Sequence, residues 1–153
     1  IAYTTINLME GVTRYGSGIR LRTSGGKYPD SVVTGYPYKF DNAIAGKTGT
    51  TQNQSDGWFI GLVPNLSTGI WVGAEDRSVH FVDITRGQGA SMALPIWALY
   101  MKRNYANEDL EISKEDFEEP ENLTISVDCD LEGDKDDPDK DQKKPDLNEE
   151  IDF

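Results

Sequence analysis

Lys47, Thr48, Thr50 and Thr51 crowd into the run Ala45-Gly46-Lys47-Thr48-Gly49-Thr50-Thr51. On an extended chain side chains alternate between faces. Thr48 and Thr50 therefore share a side, where both hydroxyls can reach the oxygens of one carboxylate. Lys47 adds a positive charge beside them, and Gly49 removes a side chain where a ligand would pass. At a sheet edge, the free N–H and C=O groups of such a strand can pair with an extended peptide. An edge N–H can also donate to a developing oxyanion.

Two other readings use the same residues. Lys-Thr-Gly-Thr-Thr can be a strand end running into a polar turn, and spacing alone does not separate that role from binding. Gly46-Lys47-Thr48 also ends the pattern G-x-x-x-x-G-K-[ST]. The first glycine would then stand at position 41, which is Asp41. Its carboxylate would repel phosphate, and no helical pattern follows Thr48 to supply a dipole. His80, the only histidine, has no nucleophile-and-base context and reads as a packing or surface residue. Asp128, Asp130, Glu132 and Gly133 partly imitate a calcium loop, but its twelfth position is Asp139 beside Pro138, with no flanking helices.

The elements that must position the central run follow from pattern. Tyr3, Ile6, Met9 and Val12 recur at three-residue spacing and predict a helix over 1–14, ended by Gly16-Ser17-Gly18. Residues 23–30 read as a loop, and 31–42 as an extended connector with room for a short strand. Strands are expected over 43–51, 57–63 and 68–73, with Pro64-Asn65-Leu66 as a turn. Connections this short favour an antiparallel meander, because a parallel return needs a long crossover. Residues 77–86 read as irregular or as a short excursion. A helix over 88–103 is expected to carry Met92, Ile96, Leu99 and Tyr100 on one face, with Lys102 and Arg103 suiting the negative end of its dipole. Trp58, Phe59, Ile70 and Trp71 read as core and rim packing.

At 153 residues the chain allows one domain. The net charge of −12 is unevenly spread: residues 1–103 carry ten Lys/Arg against seven Asp/Glu, residues 104–153 five against twenty. The acidity thus belongs to the second stretch, and no basic nucleic-acid footprint is present. Residues 104–153, interrupted by Pro120, Pro138 and Pro145, are expected to be a mostly disordered acidic tail with one local turn near 113–117. Residues 1–103 form the folded part, with all three tryptophans and six of the seven tyrosines. Cys129 is the only cysteine, so no intrachain disulfide can form. No apolar run approaches the ~20 residues of a membrane span. The opening Ile1-Ala2-Tyr3, without Met or a clear cap, reads as a piece of a larger protein cut inside a helix.

Gly46-Lys47-Thr48-Gly49-Thr50-Thr51, then Asp56-Gly57-Trp58-Phe59-Ile60-Gly61, Pro64-Asn65-Leu66 and Gly69-Ile70-Trp71-Val72-Gly73, resembles the C-terminal part of the transpeptidase domain of bifunctional (class A) penicillin-binding proteins. Upstream Glu10-Gly11-Val12 with Tyr15-Gly16-Ser17-Gly18, and downstream Gly89-Ala90-Ser91 with Pro95-Ile96-Trp97, are similar to that family too. The resemblance covers about residues 1–103.

The resemblance implies an α+β fold: a three-stranded antiparallel meander with a helix before and a helix after, an incomplete penicillin-binding/β-lactamase-like transpeptidase fold. It implies a parent D,D-transpeptidase whose serine is acylated by a peptidoglycan stem peptide or trapped by β-lactams. The parent would carry glycosyltransferase activity in another part, use no cofactor or metal, and be anchored in the inner membrane facing the periplasm. Lys47 would hydrogen-bond the Ser-x-Asn serine and supply positive potential, Thr48, Gly49, Thr50 and Thr51 would line the substrate carboxylate, and the Thr50 N–H would be an oxyanion donor. The family's Ser-x-Asn motif is absent. The one Ser-x-x-Lys string, Ser24-Gly25-Gly26-Lys27, has glycines and Pro29 that disfavour the helix start the family uses. Tyr105-Ala106-Asn107 comes after the Lys-Thr-Gly run rather than before it. The chain is thus expected to hold the carboxylate-binding wall without the nucleophile, and to self-associate through apolar surface left open. The alternative is a non-catalytic module that binds a peptide or protein at the same β-edge.

Overall fold

Three strands, β1 (Ala45–Thr50), β2 (Asp56–Val63) and β3 (Leu66–Gly73), follow one another with only short turns between them. In the computed structural model, which describes residues 1–22 and 38–123, they form an antiparallel sheet in the order β1-β2-β3. The expected loop at 23–30, most of the connector at 31–42, the Ser24–Lys27 string and the acidic run around Asp128 lie outside the described residues.

Paired residues across an antiparallel ladder point to the same side. Thr48 pairs with Phe59 and Thr50 with Gly57, while Lys47 pairs with Ile60 and Gly49 with Trp58. One face therefore carries Thr48, Thr50, Gly57, Phe59, Gly61 and Val63, and helix α3 (Gly89–Tyr105) covers it. Helix α1 (Ala2–Arg14) packs against β1, and a single helical turn, α2 (Ile84–Gly87), leads into α3. The Asp83 side chain caps α2 by accepting from Arg86 N–H at 3.0 Å.

Helix α3 lies close to the sheet because β2 carries glycine beneath it. A Cβ on Gly61 would sit 2.4 Å from the Trp97 indole, and one on Gly89 would sit 2.4 Å from the carbonyl oxygens of Gly49 and Trp58. Trp97 fills the groove so made. It is fully buried, edge-on to Phe59 at 5.2 Å and to Phe40 at 6.3 Å. Its indole N–H donates to Thr68 Oγ1 at 2.7 Å. The buried face of α3 is accordingly Ala93, Leu94, Trp97, Ala98 and Met101 together with Met92. Of the stripe expected on one face, Met92 is buried while Ile96, Leu99 and Tyr100 point to solvent, because the bulkiest ring claimed the glycine groove and set the helix's rotation. Trp58, Ile60 and Trp71 lie on the opposite face of the sheet, each 43–48% exposed, with Phe59 alone of the expected aromatics fully buried.

Helix α1 is tied to the entry of β1 by polar groups. Thr13 Oγ1 reaches Ile44 O at 2.6 Å, and Arg22 Nη2 donates to Thr13 Oγ1 at 2.7 Å and to Ile44 O at 3.2 Å. Arg22 Nη1 donates to Asn42 O. Burial, reinforced by the Arg14 charge and opposed by Glu10, pushes the Arg22 guanidinium below its usual value.

Helix α3 continues through Tyr105, past residue 103, and the compact unit runs Ile1–Leu123. A 3₁₀ turn at Glu108–Leu110 follows. Asn65 then holds the chain at both ends of its amide, donating to Glu111 O at 2.7 Å and accepting from Ser113 N–H at 2.9 Å. Ile112 packs against the core, and the Lys114 ammonium stands 5.1 Å from the centre of the Tyr105 ring. Ser113 starts no helix; its hydroxyl accepts from Glu115 N–H at 3.1 Å. Among the described residues no helix is long and apolar enough to cross a membrane.

Candidate functional site

Strand β1 is an edge of the sheet among the described residues. Thr51 N–H donates to Asp56 O at 3.0 Å, which fixes the alternation of the ladder. Residues 49 and 47 then bond towards β2, and the backbone groups of Thr48 and Thr50 turn away from it. Along the open side of β1 run a Thr48 carbonyl and a Thr50 N–H.

The side chains converge on the same strip. Lys47 belongs to the far face by register, yet its ammonium curls over the edge and donates to Thr48 O at 2.8 Å. Thr48 Oγ1 lies 2.7 Å from Ser17 Oγ, in the turn that ends α1. Thr50 Oγ1 accepts from Gly89 N–H, the first residue of α3, at 3.0 Å, which leaves its own proton free to donate elsewhere. The positive end of a 17-residue helix thus backs the strip. Gly49 keeps the strand flat against Trp58, whose Cβ would lie 3.2 Å from a Cβ at position 49.

Thr51 is placed differently. Its hydroxyl lies within the turn joining β1 to β2, accepting from Asp56 N–H at 2.9 Å and lying 3.0 Å from Ser55 Oγ. The structure therefore brings Lys47, Thr48 and Thr50 together and assigns Thr51 to the turn behind them. Pattern reading missed Ser17 and Gly89. Ser17 stood in a glycine-rich helix ending with no chemical cue, and Gly89 acts through its backbone, which no side-chain motif reveals.

His80 lies away from the strip, its Nδ1 3.0 Å from Phe81 O. It lines a separate apolar cavity of about 370 Å³ at the end of β3, with Ser55, Val72, Gly73, Ala74, Val79 and Phe81.

A strip of this kind has cationic, hydroxyl and N–H donors in one line and carries no carboxylate of its own. It is suited to an extended chain ending in an anion.

No family model matches the chain. It is similar to penicillin-binding protein 1A of Aquifex aeolicus (strain VF5), 40% identical over 90 residues that cover 57% of this chain and 11% of that protein. It is similar to penicillin-binding protein 1A of Clostridium tetani (strain Massachusetts / E88), 30% identical over 132 residues, 86% of this chain and 14% of that one. A third likeness is to penicillin-binding protein 1A of Neisseria flavescens, 32% identical over 101 residues, 65% of this chain and 10% of that one. The chain spans between a tenth and a seventh of the length of these relatives. With relatives of one name agreeing, and the Lys-Thr-Gly strand folded as an open sheet edge, the chain belongs to the class A penicillin-binding proteins, of which it is a part.

Proposed function

We propose that residues 47–50 bind the terminal carboxylate of a peptidoglycan stem peptide ending in D-Ala-D-Ala, as one wall of a D,D-transpeptidase site. The observation that carries this reading is the alignment of Lys47 Nζ, the Thr48 and Thr50 hydroxyls and the outward Thr50 N–H along one open strand edge. Thr48 and Thr50 donate to the two carboxylate oxygens, and Lys47 supplies positive potential to the anion and to catalytic serines. The peptide backbone pairs with β1 in strand-addition geometry. The Thr50 N–H then faces the carbonyl under attack and stabilises the charge that develops on its oxygen. Removing one such donor typically costs on the order of 10²–10³ in rate. Thr51 contributes by holding the turn that keeps this edge in register.

The serine that would attack that carbonyl lies on a Ser-x-x-Lys motif in a part of the parent protein outside this sequence, since the one such string here, Ser24-Gly25-Gly26-Lys27, has glycines and Pro29 that disfavour a helix start. In the whole enzyme the serine forms an ester with the penultimate D-Ala, releasing the terminal D-Ala. An amine of a neighbouring stem peptide then displaces the serine and completes the crosslink. The relatives' printed name supports β-lactam binding at the same wall, since a β-lactam carries a carboxylate beside its reactive carbonyl. The parent enzyme works on the extracytoplasmic face of the membrane, where its substrate is.

The test is an NMR titration of this chain with N-acetyl-D-Ala-D-Ala and with its C-terminal amide. The carboxylate form is expected to shift the amide signals of residues 47–51 and to bind about tenfold more tightly, the range of one charge-assisted hydrogen bond. Equal binding of the two forms would contradict the reading.

A further inference from the structure

We infer that Ser17 is a positioning residue for Thr48, setting the direction of its hydroxyl proton towards the carboxylate; this rests on the reading of the strip given above. Ser17 Oγ and Thr48 Oγ1 are 2.7 Å apart, and either can donate. A threonine hydroxyl has one proton, and its direction decides whether it can serve a ligand. If Thr48 donates to Ser17, it meets an incoming carboxylate with its lone pairs. If Ser17 donates to Thr48, the Thr48 proton is free, and the bond behind it polarises the hydroxyl as a donor. An anion at the edge selects the second arrangement, with both protons running towards the negative charge.

The turn around Ser17 is built to hold it there. The N–H groups of Gly16 and Gly18 both donate to Val12 O, at 3.1 and 3.0 Å. A Cβ at position 16 would stand 3.0 Å from the Val12 backbone, and one at position 18 would stand 3.2 Å from Val12 O. Flanking glycines thus let the chain fold back on α1 tightly enough to bring one hydroxyl against β1. The adjoining tie from Thr13 to Ile44 O fixes α1 to the residue just before β1. Ser17 is itself exposed, so its hydroxyl is not there to satisfy a buried group.

The experiment compares the unsubstituted chain, Ser17→Ala and Ser17→Thr for binding of N-acetyl-D-Ala-D-Ala and of its C-terminal amide, with thermal midpoints alongside. Ser17→Ala is expected to weaken the carboxylate form about fivefold, within the span of one hydrogen bond, to leave the amide form unchanged, and to keep its thermal midpoint. Ser17→Thr, which restores the hydroxyl, is expected to return within about twofold of the original affinity. If the unsubstituted chain prefers the carboxylate and Ser17→Ala keeps the full preference, the role of Ser17 is overturned while the strip survives. A loss in Ser17→Ala that Ser17→Thr fails to restore, or an equal loss for both ligands, also overturns it. If the unsubstituted chain has no preference, the carboxylate reading falls and Ser17's role falls with it.

Discussion

Each hydroxyl on the β1 edge is held from behind by a different group, Thr48 by Ser17 and Thr50 by Gly89 N–H. The bond from Gly89 N–H leaves the Thr50 proton available to a ligand, and Thr48 presents its proton in the same way when Ser17 is the donor of their bond. At the other end of the sheet, Tyr105 has the opposite task. Its hydroxyl accepts from Asn42 Nδ2 at 2.9 Å. Burial raises its pKa above the ordinary value of 10.0, against smaller opposing pulls from Asn42 and Arg22. The folded chain therefore keeps this proton at a pH where the unfolded chain has lost it. Stability from this group is complete below about pH 10 and is lost as pH rises through the folded value. Followed by circular dichroism between pH 9 and 11, Tyr105→Phe is expected to lose stability less steeply than the unsubstituted chain. Equal slopes would mean that Tyr105 does not control this limb.

At the scale of elements, the contact between α3 and the β1–β2 pair decides whether the site has its helix. Position 89 sets two tendencies against each other. Alanine favours a helix over glycine by about 1 kcal/mol, whereas overpacking costs about 1–3 kcal/mol. The atoms that a Cβ would meet at 2.4 Å are backbone oxygens of Gly49 and Trp58, which cannot rotate aside. The clash should win. Gly89→Ala is expected to lower stability in a urea titration and to weaken carboxylate binding, since the helix end is pushed off Thr50. A more stable variant with unchanged binding would contradict this close docking.

The same contact explains which elements were legible in the sequence. The meander and both long helices were readable because the turns are short and the apolar periods clear. The inward face of α3 was not. Ile96, Leu99 and Tyr100 match a helical stripe, but the groove that selects Trp97 exists only once Gly61 of β2 lies beneath the helix, as Gly57 lies beneath Met92 and Gly89. Of the strip, Thr48 and Thr50 were legible from alternation, whereas Lys47 belongs to the other face by register and reaches the edge only through its long side chain. Thr51 was not, because its part in the turn depends on Asp56 and Ser55 folding back over it. Ser17 lies thirty-one residues from Thr48, beyond the reach of any local pattern.

For the whole molecule, the described body is a sheet with one face closed by α3 and the other bearing Trp58, Ile60 and Trp71 to solvent. Residues 106–123 follow the body, pinned through Asn65, although their composition alone suggested a chain with too few apolar groups to be held. Under the proposed function, the described residues supply the carboxylate wall of a larger enzyme, and the chemistry that uses it is supplied elsewhere in the parent. The central claim is that the wall recognises an anion through its hydroxyls. Its most direct test is the affinity ratio of N-acetyl-D-Ala-D-Ala to its amide, measured by NMR titration on the chain carrying both Thr48→Val and Thr50→Val. Valine keeps the branched shape and removes the hydroxyls, and with them the acceptor of the Gly89 N–H, so the ratio is expected to fall from about ten to near one. A ratio undiminished in a folded double variant would place carboxylate recognition away from this edge.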